Sequence, residues 1–440
     1  MAYDMDAFWI VGGVLSFLLA LGAWEAWSHR RALKSIPIRI HVNGARGKSS
    51  VTRLIAAALR EAGIRTVAKT TGTLPRLILP DGSERPIERV SRPNVIEQVG
   101  IIRRAQREGA EALVIECMAL QPHLQALCES KFVRATHGVI TNVRADHLDV
   151  MGPTVTDVAR ALCNTTPVRG KLFTAEQEYL PILAAAAADR ETQLIVSTPE
   201  DAAAVTDEEM AGFSYMEHRE NVALVLKVCA DLGIDRATAL AGMYRAACDP
   251  GAMTMCEIDF FGRRIVFANA FAANDPNSTA SAWKRAAEQA GKVATRVALV
   301  NCRADRPERS WQLGETCHTW QGADYFLLIG SGTHVFRRAA IQNGIEPERI
   351  LQGNAADVPK LFETIVELIG TSGLVVGVGN IGDHGLEIAQ YFRNRSVLQP
   401  KPRRRRVARR RRALAAQTHA RNGHAPEAAV AAAIGKVVSG

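Results

Sequence analysis

The sequence has no Cys-x-x-Cys pair. Its eight cysteines stand apart, from Cys117 to Cys317, and none joins histidines in a tight cluster. That disfavours a zinc site or a disulfide framework, and free thiols suit a reducing compartment. No internal repeat runs along the chain, and no aromatic pattern of the RNA-binding kind is present. Excess charge is also missing from most of its length. Eleven of the 54 Lys and Arg, but only one of the 45 Asp and Glu (Glu427), fall after residue 400, so residues 1–400 carry −1 although the whole chain carries +9. A membrane-tethered nucleic-acid-binding ATPase would therefore rest on the arginine-rich tail alone, and no nucleic-acid partner is expected.

One long apolar run is present. Ala7 to Trp24 contains 18 residues without a charge. As a helix it would measure about 27 Å, close to the thickness of a bilayer core. Asp4 and Asp6 precede it, and His29, Arg30, Arg31 and Lys34 follow it. The positive-inside rule then places the N-terminus outside and the rest of the chain in the cytoplasm. A cleaved signal peptide would carry its positive charge first and end in small residues, unlike Trp24-Glu25-Ala26-Trp27. Residues 1–35 are thus expected to form a single-pass anchor in the cell membrane.

At 440 residues the chain exceeds one ordinary domain. Strand patterns at Ile38–Val42, Arg65–Lys69, Ala112–Glu116, Thr136–Asn142 and Gln193–Ser197 alternate with helical patterns, such as Ser50–Ala62. After the turn at Asp249-Pro250-Gly251 the alternation resumes, with strands at Arg264–Ala268, Arg296–Asn301, Tyr325–Gly330 and Leu374–Gly377. Such alternation predicts α/β domains with parallel sheets covered on both faces. The expected layout is an anchor, a phosphate-loop domain over 36–248, a Rossmann-like domain over 249–395 and a disordered basic tail over 396–440.

The sharpest motif is Gly44-Ala45-Arg46-Gly47-Lys48-Ser49-Ser50, between a predicted strand and a predicted helix. Glycines let backbone N–H groups turn toward an anion, and the helix start adds its positive end. Lys48 is expected to meet the β- and γ-phosphates of ATP, and Ser49 to bind Mg²⁺. Glu116 ends a buried strand, where a carboxylate can hold the metal. His147, between Asp146 and Asp149 after another strand, is a candidate for a second metal.

Loop, strand-end Glu116 and Asp146-His147-Leu148-Asp149, in this order, resemble the Mur ligase superfamily. Longer similar segments include Lys69–Thr73, Glu116–Ala119, Asp146–Thr154, Asp249–Met253, Phe271–Asp275, Asn301–Arg306 and Gly377–Ile381. These resemble most closely the poly-γ-glutamate synthase (PgsB/CapB) branch. One departure is Ala252, where many Mur ligases carry an arginine after Pro-Gly.

The resemblance implies an ATP-dependent ligase that joins glutamate to a growing poly-γ-glutamate chain through an acyl phosphate. Ser49, Glu116 and His147 would bind metal, and Asn221 the adenine. Thr71, Gly72 and Thr73 would line the substrate site. Arg303, Asp305 and Arg306 would serve catalysis from the second domain, because arginine grips carboxylate or phosphate with paired bonds. Partner membrane subunits for synthesis and export, and an oligomeric assembly, are also expected. A folylpolyglutamate-synthase-like ligase is the alternative within the superfamily; its soluble substrate would need no anchor.

Overall fold

A computed structural model describes residues 2–72, 75–89, 94–213, 215, 217–249 and 253–396. They fall into two compact units that divide at Asp249 and Pro250.

The first unit opens with a helix, Ala2–Lys34. Its stretch Trp9–Lys34 is long and apolar enough to cross a membrane. Trp9, Phe17, Leu18 and Trp24 are all exposed on it, as expected of a helix that is apolar all round. The last turns behave differently. Ala32, Leu33 and Ile36 are buried with Ile102, Ala105 and Leu113, so the end of the helix is packed into the body.

Eight strands form the sheet of this unit: β1 (Ile38–Asn43), β2 (Thr66–Lys69), β3 (Arg76–Ile78), β4 (Glu84–Pro86), β5 (Ala112–Glu116), β6 (His137–Ile140), β7 (Lys171–Thr174) and β8 (Gln193–Val196). Their order is β4-β3-β2-β5-β1-β6-β7-β8. From β2 to β8 the neighbours are parallel, whereas β3 and β4 add an antiparallel hairpin at one edge. The central strands are buried on both faces, which is why Ala112–Ile115 reads as an unbroken apolar run. The helix Lys48–Glu61 buries Val51, Leu54, Ile55, Ala58 and Leu59, the face that its sequence period marks out. Gly63 follows at φ +83°, a conformation in which glycine ends a helix without strain.

The second unit has β9 (Thr254–Phe260), β10 (Arg263–Asn269), β11 (Thr295–Cys302), β12 (Tyr325–Gly330), β13 (Ile350–Gln352) and β14 (Ser372–Val378). The order is β13-β12-β11-β14-β10-β9, parallel except for the edge pair β10–β9. Alternate residues supply its two cores. Val266, Ala268 and Val300 pack on one face; Phe267, Val297 and Leu299 pack on the other.

Both sheets are therefore mixed at an edge rather than wholly parallel. The strands added to the sequence reading are β3, β4, β7, β9 and β13. Three of these, β3, β4 and β13, have only three residues each, too few for a period to register.

Candidate functional site

In a parallel sheet all C-terminal strand ends lie on one edge. Register pairs Val42 of β1 with Glu116 of β5, and Asn43 with Ile140 of β6. The glycine loop leaving β1 is thus flanked by Glu116 on one side and Thr141-Asn142 on the other.

Thr141 still donates its N–H to the Asn43 carbonyl at 3.0 Å, and beyond it the side chains of Thr141 and Asn142 hold that loop. Asn142 accepts from Ala45 N at 3.0 Å through its carbonyl and from Arg46 N at 3.0 Å through Oδ1. Thr141 Oγ1 and Asn142 Nδ2 donate to the Arg46 carbonyl at 2.6 and 3.1 Å. This explains why β6 ends before the predicted Asn142. It also explains Gly44. At its φ of +132°, a Cβ would lie 2.0 Å from Thr141 Oγ1. Gly47, at φ +80°, would place a Cβ 2.9 Å from Asn221 Oδ1. Both glycines are required by backbone conformation and by close approach.

The helix behind the loop starts at Lys48 with no side-chain cap and no acid in its first turn. Its first N–H groups are left for an anion. Lys48 curls over the loop, with Nζ donating to the carbonyls of Gly44 (2.6 Å) and Ala45 (3.1 Å).

Glu116 is buried, and one carboxylate oxygen takes two donors. Its Oε2 accepts from Ser49 Oγ at 2.9 Å and from Thr71 N at 2.7 Å. A Cβ added to Gly72 would lie 3.6 Å from Ser49 Oγ, so the Thr71–Gly72 backbone passes beside the loop. Thr73 lies outside the described residues. A hydroxyl and a carboxylate in contact are hard oxygen donors, the chemistry that suits Mg²⁺ held jointly by protein and phosphate. Among the described residues, no three His, Cys, Asp or Glu side chains form a metal cage. The donor set therefore fits a cation that completes its coordination on nucleotide and water.

His147 stands apart from this pair. It adopts φ +46° at the start of a short helix, with Nε2 3.9 Å from Asp146 Oδ1. The same Asp146 oxygen lies 3.8 Å from Arg46 Nη2 of the loop. Asn221 is buried against Gly47, and its Nδ2 donates to Glu217 Oε1 at 2.9 Å. Ser50 continues the helix behind Lys48 and Ser49.

In the second unit, Arg303, Asp305 and Arg306 follow β11. Arg303 makes a two-pronged bond to Asp305, at 2.9 and 2.8 Å, and lies 3.6 Å from Asp383. These carboxylates hold its pKa above the ordinary value, with the hydrogen bond to Asp305 the largest cause. Asn301 and Asn380 lock the neighbouring strand ends: Asn301 Nδ2 donates to Asn380 O at 2.7 Å, and Asn380 Nδ2 to Asn301 O at 3.0 Å.

A buried polar group surrounds Lys69. This lysine ends β2 with its side chain fully buried, and its Nζ lies 3.0 Å from Glu97 Oε1. The Glu97 carboxylate also takes Arg89 at 2.7 Å. Gln98 Nε2 donates to the Glu116 main-chain carbonyl at 3.4 Å, tying this group to the strand end that carries Glu116. Burial pushes the Lys69 pKa down, against the pull of Glu97. The one sequence signal was a lysine ending an apolar strand.

A glycine loop on a parallel sheet, a carboxylate on the adjacent strand end and a following α/β unit define a Mur-ligase-type protein. The profile of the Mur ligase middle domain matches residues 42–247, and that of the poly-gamma-glutamate synthase CapB C-terminal domain matches residues 255–395. The capsule biosynthesis protein CapB of Bacillus anthracis is 38% identical over 378 residues, spanning 86% of this chain and 80% of that protein. The PGA synthase CapB of Bacillus subtilis (strain 168) is 36% identical over 379 residues, spanning 86% of this chain and 95% of that one. The chain belongs to the CapB family of Mur ligases. Among solved structures, a bifunctional folylpolyglutamate synthase/dihydrofolate synthase from Yersinia pestis, complexed with AMPPNP and Mn ion, superposes with a TM-score of 0.63. Its identity is 14%, and the match covers 84% of this chain and 92% of that one, a likeness of fold.

Proposed function

We propose that this protein is an ATP-dependent amide ligase that extends poly-γ-glutamate. The acceptor is the terminal carboxylate of the γ-linked chain, the incoming nucleophile is the amine of glutamate, and the products are ADP, phosphate and a new amide. The observation that supports this most is the Glu116 carboxylate shared by Ser49 Oγ and Thr71 N beside an uncapped, glycine-led helix start. It joins a phosphate cradle, a metal-ligand pair and a neighbouring backbone in one place.

Two anions must approach each other in this reaction, so fixed positive charge is the main catalytic device. Residues 44–50 cradle the triphosphate. Lys48 is assigned to the β- and γ-phosphates, for which it would exchange its two loop carbonyls. Ser49 and Glu116 would hold Mg²⁺. When bound, the metal neutralises phosphate charge. His147, with Asp146 3.9 Å away, is assigned to a second metal, and Asn221, held by Glu217, to the adenine. Thr71 and Gly72 are assigned to the acceptor, together with Thr73. Arg303 and Arg306 are assigned to anionic groups of the reactants, with Asp305 orienting Arg303. The N-terminal helix anchors the enzyme with its body in the cytoplasm, beside membrane subunits that pass the polymer outward.

The test supplies full-length protein in membranes with ATP, Mg²⁺, glutamate and a short γ-glutamate acceptor labelled with heavy oxygen in its carboxylates. Label should pass into the released phosphate while ADP accumulates. Accumulation of AMP, or phosphate without label, would overturn the acyl-phosphate route.

A further inference from the structure

The edge of the first sheet opposite the glycine loop carries a second feature. The N-terminal ends of β1, β6, β7 and β8 contribute Arg39, His137, Lys171 and Gln193 to a cavity of about 960 Å³. One wall is the last turn of the N-terminal helix, through Arg30, Leu33 and Lys34. Nothing in the ligase chemistry uses this cavity.

Its lining is electropositive, with seven Lys or Arg against two acids. Both acids are already engaged. Glu129 lies 2.8 Å from His41 Nδ1 and accepts from Ala135 N at 2.7 Å. Asp231 takes Lys171 at 2.6 Å and lies 3.4 Å from His137 Nε2. Two more cations are held by backbone. Arg39 donates to the carbonyls of Leu33 (3.2 Å), Ile36 (2.6 Å) and Arg134 (2.9 Å), which fixes the end of the helix to the sheet. Arg190 donates to the carbonyls of Asn164 and Thr166. Arg30, Lys34, Arg134 and Arg169 remain. They are exposed, and among the described residues none of them has a carboxylate partner.

Position selects the occupant. The apolar run ends at Trp24 and Arg30 follows six residues later, about 9 Å along the helix, so a membrane-inserted helix holds the cavity at the depth of the lipid headgroups. An apolar side chain stands beside the charges: Val168, 61% exposed, next to Arg169. We infer that this cavity binds the phosphate headgroup of an anionic phospholipid. Charged donors would take the phosphate, while the exposed Val168 meets its glycerol and upper acyl chain. The inference rests on the helix spanning the membrane with the body on the cytoplasmic side.

The test uses full-length protein in phosphatidylcholine nanodiscs doped with phosphatidylglycerol. Lipid that co-purifies after transfer to neutral detergent is counted by mass spectrometry. Wild type should retain phosphatidylglycerol selectively. Replacing Arg30, Lys34, Arg134 and Arg169 together by Gln should lower retention by about tenfold or more, since each basic residue near a headgroup contributes measurably. The double variant Lys34→Gln/Arg169→Gln should fall between, which guards against misfolding of the quadruple variant. Removal of residues 397–440 should change nothing.

Full retention by the quadruple variant would overturn the inference, as would loss of retention on removing the tail, which would mean diffuse charge attraction. Displacement of the lipid by a soluble γ-glutamate oligomer would also overturn it, assigning the cavity to polymer. Release of the protein by carbonate extraction would defeat the membrane-span reading itself. A retained protein without lipid selectivity would defeat only the headgroup site.

Discussion

The two units use one architecture and prepare their charges differently. In the first, the strand-end groups are set toward one another. Glu116 holds Ser49 and Thr71, while Lys48 rests on the carbonyls of its own loop, which a phosphate oxygen can replace without stranding a charge. In the second, Arg303 is held by its own acids, Asp305 and Asp383. A reactant anion would have to displace a carboxylate to use both prongs of that guanidinium. The comparison teaches that a cation held by neutral carbonyls is ready for an anion, whereas one held by carboxylates must first change partner. Charge count alone does not reveal this difference.

The largest expected effect tests the ready side. Lys48→Ala should lower ATP turnover by about 10²–10³-fold, the scale of losing one preorganised charge donor. Far-ultraviolet circular dichroism should stay unchanged, because the Nζ partners are only two loop carbonyls. A near-normal rate would remove Lys48 from the mechanism. Glu116→Gln should raise the magnesium concentration needed for half-maximal rate by about 10–100-fold, the range seen when metal-site support is lost. An unchanged magnesium requirement would leave the Ser49–Glu116 contact purely structural.

Gly44→Ala follows. Its Cβ would fall 2.0 Å from Thr141 Oγ1 at a φ of +132°, and overpacking of this kind costs about 1–3 kcal/mol. Denaturant titration should show that loss, and Thr141→Ala in the same chain should recover part of it.

The second unit gives a smaller, sharper test. Arg303→Ala should reduce kcat by roughly tenfold, as one charge-assisted contact is lost. Asp305→Asn loosens the competing pair and should lower KM for the anionic acceptor while sparing kcat. Equal loss in both variants would make the pair structural and break the comparison.

The smallest effect concerns Lys69. Burial holds its folded-state pKa below the ordinary 10.5, so the unfolded chain binds that proton more tightly. The contribution of this site to stability is therefore lost as pH falls through the folded value and rises as pH climbs toward 10.5. Lys69→Met should flatten that alkaline rise in the unfolding midpoint; an unchanged slope would show that Lys69 is not its source.

Much of this was legible beforehand. The glycine loop stands out because a β-branched strand, two glycines and an amphipathic helix are local signals. The N-terminal helix is legible for the same reason, since length and hydropathy need no partner. Thr141 and Asn142 were hidden as loop supports because their bonds to Arg46 cross 95 and 96 residues of chain. Lys69 was hidden because a lysine is read as exposed until the packing around it is known. The basic cavity was hidden because its wall residues come from the end of the N-terminal helix, four strand starts and the loops that lead into them, each an ordinary polar position by itself.

Sequence alone thus determined the local conformations: a helix long enough for a membrane, strands with buried faces, and a glycine turn at a helix start. Backbone preference and apolar spacing act over a few residues, so they can be read in order. Tertiary structure alone decided which groups meet. Ser49 and Glu116 lie 67 residues apart and touch only because β5 pairs with β1 in the register Val42–Glu116. Shifting that register by one residue would turn the carboxylate to the other face of the sheet.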